Sequence, residues 1–368
     1  MSVPNLEKLI TALDEEFSTL DYLDIAAQTK YYTGLMLPKS FQAPHLRRLV
    51  LDGVVCPIGS PILTPTGLVT LWLINLHFCA YFPLNDLLQR LSLMPQLETL
   101  GIDFHEVVTG RYVEEQLLGT PIITHVALPN LRWFGFKGSS AYLEALLPRM
   151  TTPILEKLQI LFFAQEETYT VPHLLQFITA TENLAFHSVR VAFDEEGVSV
   201  RVYPHEGAKM YALYIEVCCR AVDRQVWGAA QIFNQLRAIL SVVDYLTLES
   251  ERYFIWHHSR RFWRIFRRRW REILGSFSNV KVLRVGISNS FVGELSRSLQ
   301  LEEGESPLEL LPELKELSYS AFNDDGDAFM GFVEARRNVG RPVTLIRRGT
   351  SPAESLMSLA SVTLSASE

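Results

Sequence analysis

The residues best equipped for chemistry in this chain are a dense run of arginines, an acidic cluster, and a few scattered thiols and imidazoles. Arg260, Arg261, Arg264, Arg267, Arg268 and Arg271 gather on one side of a helix-like stretch. At 100° per residue, Phe262, Trp263, Phe266, Trp270, Ile273, Leu274 and Phe277 gather on the other, within an arc of about 120°. Such a guanidinium face can hold phosphate backbone, anionic lipid or an acidic partner. The plainer reading is a solvated helix face balanced by Glu249, Glu251 and Glu272. Nucleic acid fits poorly, because aromatics on the packed arc cannot stack on bases.

Asn323-Asp324-Asp325-Gly326-Asp327 has the charge density of a calcium loop, with Glu334 at the twelfth position from Asn323. The sixth position, where such a loop needs glycine for its sharp turn, is Ala328. An acidic start to the following helix accounts for the cluster more simply. His257-His258 lacks a carboxylate or cysteine partner in helical register, and Cys56, Cys79, Cys218 and Cys219 form no C-x-x-C pair. No G-x-S-x-G, phosphate loop or dinucleotide fingerprint occurs. No metal or cofactor and no enzymatic activity are therefore expected.

Something must position these groups, and the stretch that reveals it is Ala43–Val54, APHLRRLVLDGV. Leu46, Leu49 and Leu51 give the form L-x-x-L-x-L, in which the last two leucines share one face of a short strand. The form recurs at Leu20-Leu23-Ile25, Leu68-Leu71-Leu73, Leu97-Leu100-Ile102, Leu131-Phe134-Phe136 and Leu155-Leu158-Ile160. It returns at Val243-Leu246-Leu248, Val280-Leu283-Val285 and Leu314-Leu317-Tyr319. Pro44, Pro95, Pro129 and Pro153 stand just ahead of the first leucine and preset a turn into the strand. Helix-like segments lie between, as at Leu84–Leu93, Ala141–Met150, Pro172–Thr181 and Arg224–Leu240, with a first one at Asn5–Asp14 and a last near Ala328–Arg337.

A strand-plus-helix unit repeated in this way predicts an α/β fold: an irregular leucine-rich-repeat-like solenoid, with parallel strands on one side and helices on the other. The interval between first leucines is uneven, 26 residues from Leu20 to Leu46 but 34 from Leu97 to Leu131, so uneven curvature is expected. From Phe186 the rhythm changes to alternation: Val189, Val191, Phe193, then Val198, Val200, Val202, then Tyr211, Leu213, Ile215, Val217. Turn residues stand at Asp194–Gly197 and Pro204–Gly207. The expected organisation is N-terminal repeats over 1–185, a β-meander insertion over 186–223, C-terminal repeats over 224–348 and a loose Ser/Ala/Thr-rich tail over 349–368.

Composition fits a folded chain and gives no global pull toward polyanions: 48% of residues are hydrophobic, 20% are charged, and the net charge is -7. Unpaired cysteines suit a reducing compartment, so a cytoplasmic or nuclear location is expected. The uncharged window Gly53–Asn85 is cut by Pro65 and Pro83 and carries the repeat frame, which reads as a buried strand rather than a membrane span.

With that frame laid out, the chain resembles the repeat portion of the fungal F-box/leucine-rich-repeat proteins. The likeness is carried by APHLRRLVLDG (43–53), MPQLETLGIDF (94–104), LPNLRWFGF (128–136), SNVKVLRVG (278–286), LPELKELSY (311–319) and EARRNVGRPVTLIRR (334–348). The resemblance implies a protein-binding scaffold, a substrate-recognition module of a ubiquitin-ligase adaptor. The F-box helix bundle that docks the ligase scaffold, carried by family members ahead of the repeats, is not expected here. A ligase scaffold is therefore a partner only if an F-box is encoded upstream.

If the inner leucines face a core, the residues between them face outward. On that face stand Trp72, Trp133, Lys157, Arg190, Tyr245 and Arg284. Trp72 and Trp133 lie two strands apart with Gly101 between, so the indoles are expected to flank a gap of roughly 10 Å. Trp, Tyr and Arg carry most binding energy where they cluster, which makes this face the expected site for a protein partner. The alternative is an electrostatic binder of nucleic acid or anionic membrane through the Arg260–Arg271 helix.

Overall fold

The computed structural model describes residues 8, 16–27, 35–76, 82–105, 123–163, 169–219, 221–250, 260–286, 289–302, 304–320 and 328–348, with the side chains of 222, 260–265 and 289–290 excepted. The chain is mixed α/β, with mostly parallel strands and, among the described residues, eight α-helices. It divides into two compact units, Met1–Ala185 with Tyr211–Cys218, and Phe186–Met210 with Cys219–Glu368. The expected helix at Asn5–Asp14, the Asn323–Asp327 cluster and the tail over 349–368 lie outside the described residues.

The first unit is built on β1 (Tyr22–Ala26), β2 (Arg48–Asp52), β3 (Thr70–Leu76), β4 (Thr99–Phe104), β6 (Trp133–Gly138), β8 (Lys157–Phe162) and β11 (Leu213–Cys218), hydrogen-bonded in that order. Every pair is parallel. A two-stranded parallel ladder, β5 (Val126–Ala127) with β7 (Met150–Thr151), stands beside it. The register is what matters. Leu23, Leu49, Leu71, Leu100, Phe134, Leu158 and Leu213 are successive partners across the sheet, and Ile25, Leu51, Leu73, Ile102, Phe136, Ile160 and Ile215 form a second such row. From Leu49 onward these side chains are essentially solvent-free. Each contributes ~1.5–3 kcal/mol by burial, and a slip of one residue would turn both rows outward together.

The prolines explain how each strand is entered. The amide of Leu46 bonds the carbonyl of Ala43, that of Leu97 the carbonyl of Met94, and that of Leu131 the carbonyl of Leu128. Pro44, Pro95 and Pro129 thus occupy the second position of a four-residue turn, where a fixed φ is an advantage. Helices α1 (Leu84–Leu91), α2 (Ser140–Leu146) and α3 (Pro172–Ala180) bury their apolar stripes: Leu84, Leu87, Leu88 and Leu91 on α1, Tyr142, Leu143 and Leu146 on α2. The Ser139 hydroxyl accepts from the Tyr142 amide to cap α2, and Glu144 accepts from the His173 and Leu174 amides at 2.7 and 2.9 Å to cap α3.

The second unit holds β9 (Ser188–Phe193), β10 (Gly197–Tyr203), β12 (Tyr245–Ser250), β13 (Val282–Gly286), β14 (Glu316–Ser320) and β15 (Thr344–Arg348). β10 is antiparallel to β9; the chain of partners from β9 through β12, β13 and β14 to β15 is parallel. Val189, Leu246, Leu283, Leu317 and Leu345 form one row, and Val191, Leu248, Val285 and Tyr319 another. Helices α4 (Val222–Gln235), α5 (Arg237–Leu240), α6 (Arg260–Leu274), α7 (Asn289–Leu299) and α8 (Met330–Asn338) cover the apolar side, where Trp270 packs against Phe193 and Phe291. Buried Gln225 of α4 donates to the carbonyls of Asp194 and Cys219, fixing the helix to the turn after β9.

The three strands expected over 186–223 are present as β9, β10 and β11. β9 and β10 form the expected hairpin, yet β9 also pairs in parallel with β12, and β11 pairs in parallel with β8. The local alternation that marks them as strands is blind to such distant partners. Among the described residues no helix is long and apolar enough to cross a membrane; Leu68–Leu84 contains strand β3 instead. The described cysteines form no disulfide, and burial pushes the Cys56 thiol up to about 12.

One charged side chain closes the second unit. Arg336 of α8, only 1% exposed, donates to the carbonyls of Leu311, Pro312 and Leu314 at 3.1, 2.9 and 3.2 Å and so ties down the turn that leads into β14. Arg336→Met keeps the bulk and removes the donors, leaving buried carbonyls unpaired. Urea unfolding should show a loss of about 2–4 kcal/mol, whereas Arg337→Met on the exposed side of the same helix should cost little.

Candidate functional site

The outward residues follow the same register as the inner rows. In the first unit Trp72 stands opposite Gly101, and Gly101 opposite Gly135. The expected gap between the indoles is not there. Trp72 and Trp133 stack on one another, with ring centroids 4.6 Å apart and planes 14° from parallel. The reason is the glycine floor. A Cβ on Gly101 would come within 3.0 Å of the Trp72 ring, and one on Gly135 within 2.2 Å of Trp133. Each indole lies down over a missing side chain and meets the other there. Both are half-buried, so the pair is a flat aromatic plate rather than two posts around a slot.

The neighbours of this plate are also engaged. The Lys157 ammonium sits over the Tyr211 ring, 4.2 Å from its centroid, and the Tyr211 hydroxyl donates to Gln159 at 3.0 Å. Asp103 faces Lys137 across β4 and β6 at a long 3.5 Å. Burial pushes its carboxyl up to about 6, with Lys137 pulling the other way and Asp52 adding to the rise.

In the second unit the structure brings Arg190, Tyr245 and Arg284 together. Arg190, Thr247, Arg284 and Ser318 are consecutive register partners from β9 to β14, forming one transverse row on the polar face. The row two residues further on contains Glu249 and its partner Gly286, and Ser320 and its partner Arg348. Because Gly286, Ser318 and Ser320 are small, the sheet surface dips there into a cleft of 480 Å³. Its walls are larger. Glu249 takes Arg190 in a close pair at 2.5 Å, and Glu206, from the turn after β10, takes Arg284 at 3.0 Å. Glu206 also accepts from the Tyr245 hydroxyl, and that bond together with its charge pushes the phenol up from its ordinary value.

Two donors in this cleft have no partner among the described residues. One is the hydroxyl of Ser318, whose residue is 1% exposed; the other is the Nε–H of Arg284. Arg348 is exposed at the cleft edge and makes no ion pair among the described residues. Thr247, Ser318, Ser320, Arg348 and Glu206 escaped the sequence reading. The first three sit between or beside the inner apolar residues of the repeat frame, so the frame itself could have found them. Glu206 was hidden in a turn.

The arginine helix is engaged from an unexpected side. Arg267 pairs with Glu302 and Glu305, both at 2.8 Å, and Arg271 pairs with Glu305 at 3.2 Å and Glu309 at 2.8 Å. These acids come from the loop before β14; of the acids expected to balance the helix, Glu272 pairs with Arg268 and Arg269, Glu249 is taken by Arg190, and Glu251 lies outside the described residues. Burial alone would raise Glu305; the Glu302 amide, Arg267 and Arg271 hold it below its ordinary value. Arg268 is largely exposed and reaches Glu272 at 3.1 Å. The side chains of Arg260, Arg261 and Arg264 lie outside the described residues. Among the described residues no group of acids, histidines and cysteines could hold a metal ion.

The chain matches no known protein-family profile, and no curated protein matches it.

Two outcomes follow from the first unit. Gly135→Ala should drive the Trp133 ring off its seat, abolishing the exciton-coupled indole couplet in far-ultraviolet circular dichroism and costing about 1–3 kcal/mol. For Asp103, the folded carboxyl keeps its proton to higher pH than the unfolded one, which titrates at about 3.9. Its contribution to stability is therefore complete below about pH 4 and lost as pH rises through about 6. Asp103→Asn should remove on the order of 2 kcal/mol of that slope, read from urea midpoints at the two ends of the range.

Proposed function

We propose that the chain is a non-catalytic scaffold that holds a protein partner on the polar face of its second unit. The observation that carries this reading is the convergence of Arg190, Tyr245 and Arg284, from three neighbouring strands, on one cleft floored by small residues. Aromatic and guanidinium groups held on rigid strands around a recess are the usual anchors of protein recognition. The in-register leucine rows support reading each strand, turn and helix as one unit of an irregular leucine-rich-repeat solenoid, with the polar face as its binding side. The resemblance to fungal F-box/leucine-rich-repeat proteins gives that surface a role: recognising the substrate of a ubiquitin-ligase adaptor. Buried thiols such as Cys56 suit a reducing compartment, the cytoplasm or the nucleus.

The electrostatic alternative draws less support. The carboxylates of Glu302, Glu305 and Glu309 already neutralise two of its six arginines, Arg267 and Arg271.

Affinity capture with the full chain and with the Tyr245→Ala/Arg284→Glu double variant tests the proposal. The variant should lose its specific partner while keeping its circular-dichroism spectrum and unfolding midpoint. An unchanged partner set would refute the assignment of this face. Capture that instead falls steeply with salt and is abolished by Arg268→Glu would favour the helix.

A further inference from the structure

The cleft in the second unit has an unfilled acceptor position, and its charge says what belongs there. The Ser318 hydroxyl and the Arg284 Nε–H are neighbours on β14 and β13, and both are buried donors without an acceptor among the described residues. A buried donor left unpaired costs free energy that a ligand oxygen would recover. Arg348, on β15 opposite Ser320, adds a guanidinium at the cleft edge. Three arginines, Arg190, Arg284 and Arg348, line the recess against two carboxylates, Glu206 and Glu249, leaving one positive charge. A single negative charge completes the balance. A phosphate dianion would overshoot it and face both glutamates at close range.

We infer that the cleft receives a carboxylate from an acidic segment of the partner protein, its oxygens accepting from the Ser318 hydroxyl and the Arg284 Nε–H and pairing with Arg348. This rests on the reading of the second unit as a protein-binding surface and adds the chemistry of what it reads. The floor residues Gly286, Ser318 and Ser320 leave depth for the carboxylate, while the walls made by the Arg190–Glu249 and Arg284–Glu206 pairs are already charge-satisfied and set its position.

The test is a fluorescence-anisotropy titration of the full chain with a fluorescein-labelled, amide-capped hexaglutamate peptide at low salt. Binding should saturate, and unlabelled hexaglutamate should displace it where hexaglutamine does not. Ser318→Ala and Arg348→Gln should each weaken it by about three- to tenfold, the worth of one hydrogen bond or a desolvated ion pair. Arg348 is exposed, so its replacement leaves the fold intact even if that of Ser318 does not. Arg268→Gln, on the exposed side of α6, should leave affinity unchanged. The inference is overturned if the peptide fails to bind, if inorganic phosphate at matched ionic strength displaces it as well as hexaglutamate does, or if Arg268→Gln weakens it as much as Arg348→Gln. Should the peptide fail while the Tyr245→Ala/Arg284→Glu variant still loses its captured partner, the carboxylate chemistry falls and the protein-binding surface stands.

Discussion

Parallel register between neighbouring strands is the constraint on which the rest depends. Once Leu49 faces Leu71 and Leu71 faces Leu100, each strand must present its next residue to the opposite side at the same level as its neighbours. The polar face is thus ordered by the packing of the apolar one. Arg190, Thr247, Arg284 and Ser318 meet because Val189, Leu246, Leu283 and Leu317 do. No contact among the outward groups has to hold them in line, which leaves their hydrogen-bonding capacity for other uses.

The two units resolve the same surface geometry in different ways. Both contain places where small residues hollow the outer face. In the first, Gly101 and Gly135 are roofed by Trp72 and Trp133, and the hollow is spent on an intramolecular stack. In the second, Gly286, Ser318 and Ser320 have the Arg190–Glu249 and Arg284–Glu206 pairs and Arg348 at their margins, and the hollow persists as a cleft. An aromatic placed on an exposed strand is therefore not by itself a sign of a binding surface. What lies under it decides whether it reaches outward or lies flat.

Much of the fold was legible because it is written in short-range spacing. Leucines three and two apart, with a proline ahead of them, locate the strands, and the Ala43-to-Leu46 turn shows why that proline sits where it does. The partners of β9 and β11 were not legible, since alternation marks a strand without saying what it pairs with. The indole stack was missed because counting strands measures the distance between backbones, and two side chains can lean across it. The acids that engage Arg267 and Arg271 were missed because Glu302, Glu305 and Glu309 lie in an irregular loop with no period to follow. Thr247 and Ser318 were within reach: they occupy the middle of an L-x-L frame, and only their small size kept them from notice.

The last strand of the second unit has a consequence for how the chain behaves in company. β15 ends the order of paired strands, most of its residues are exposed, and it closes on Arg347 and Arg348. A free strand edge is a template onto which another polypeptide can zip, and flanking cations are a common deterrent. Arg348 at this rim disfavours close approach of the same rim of a second copy. The same guanidinium lines the recess beside it.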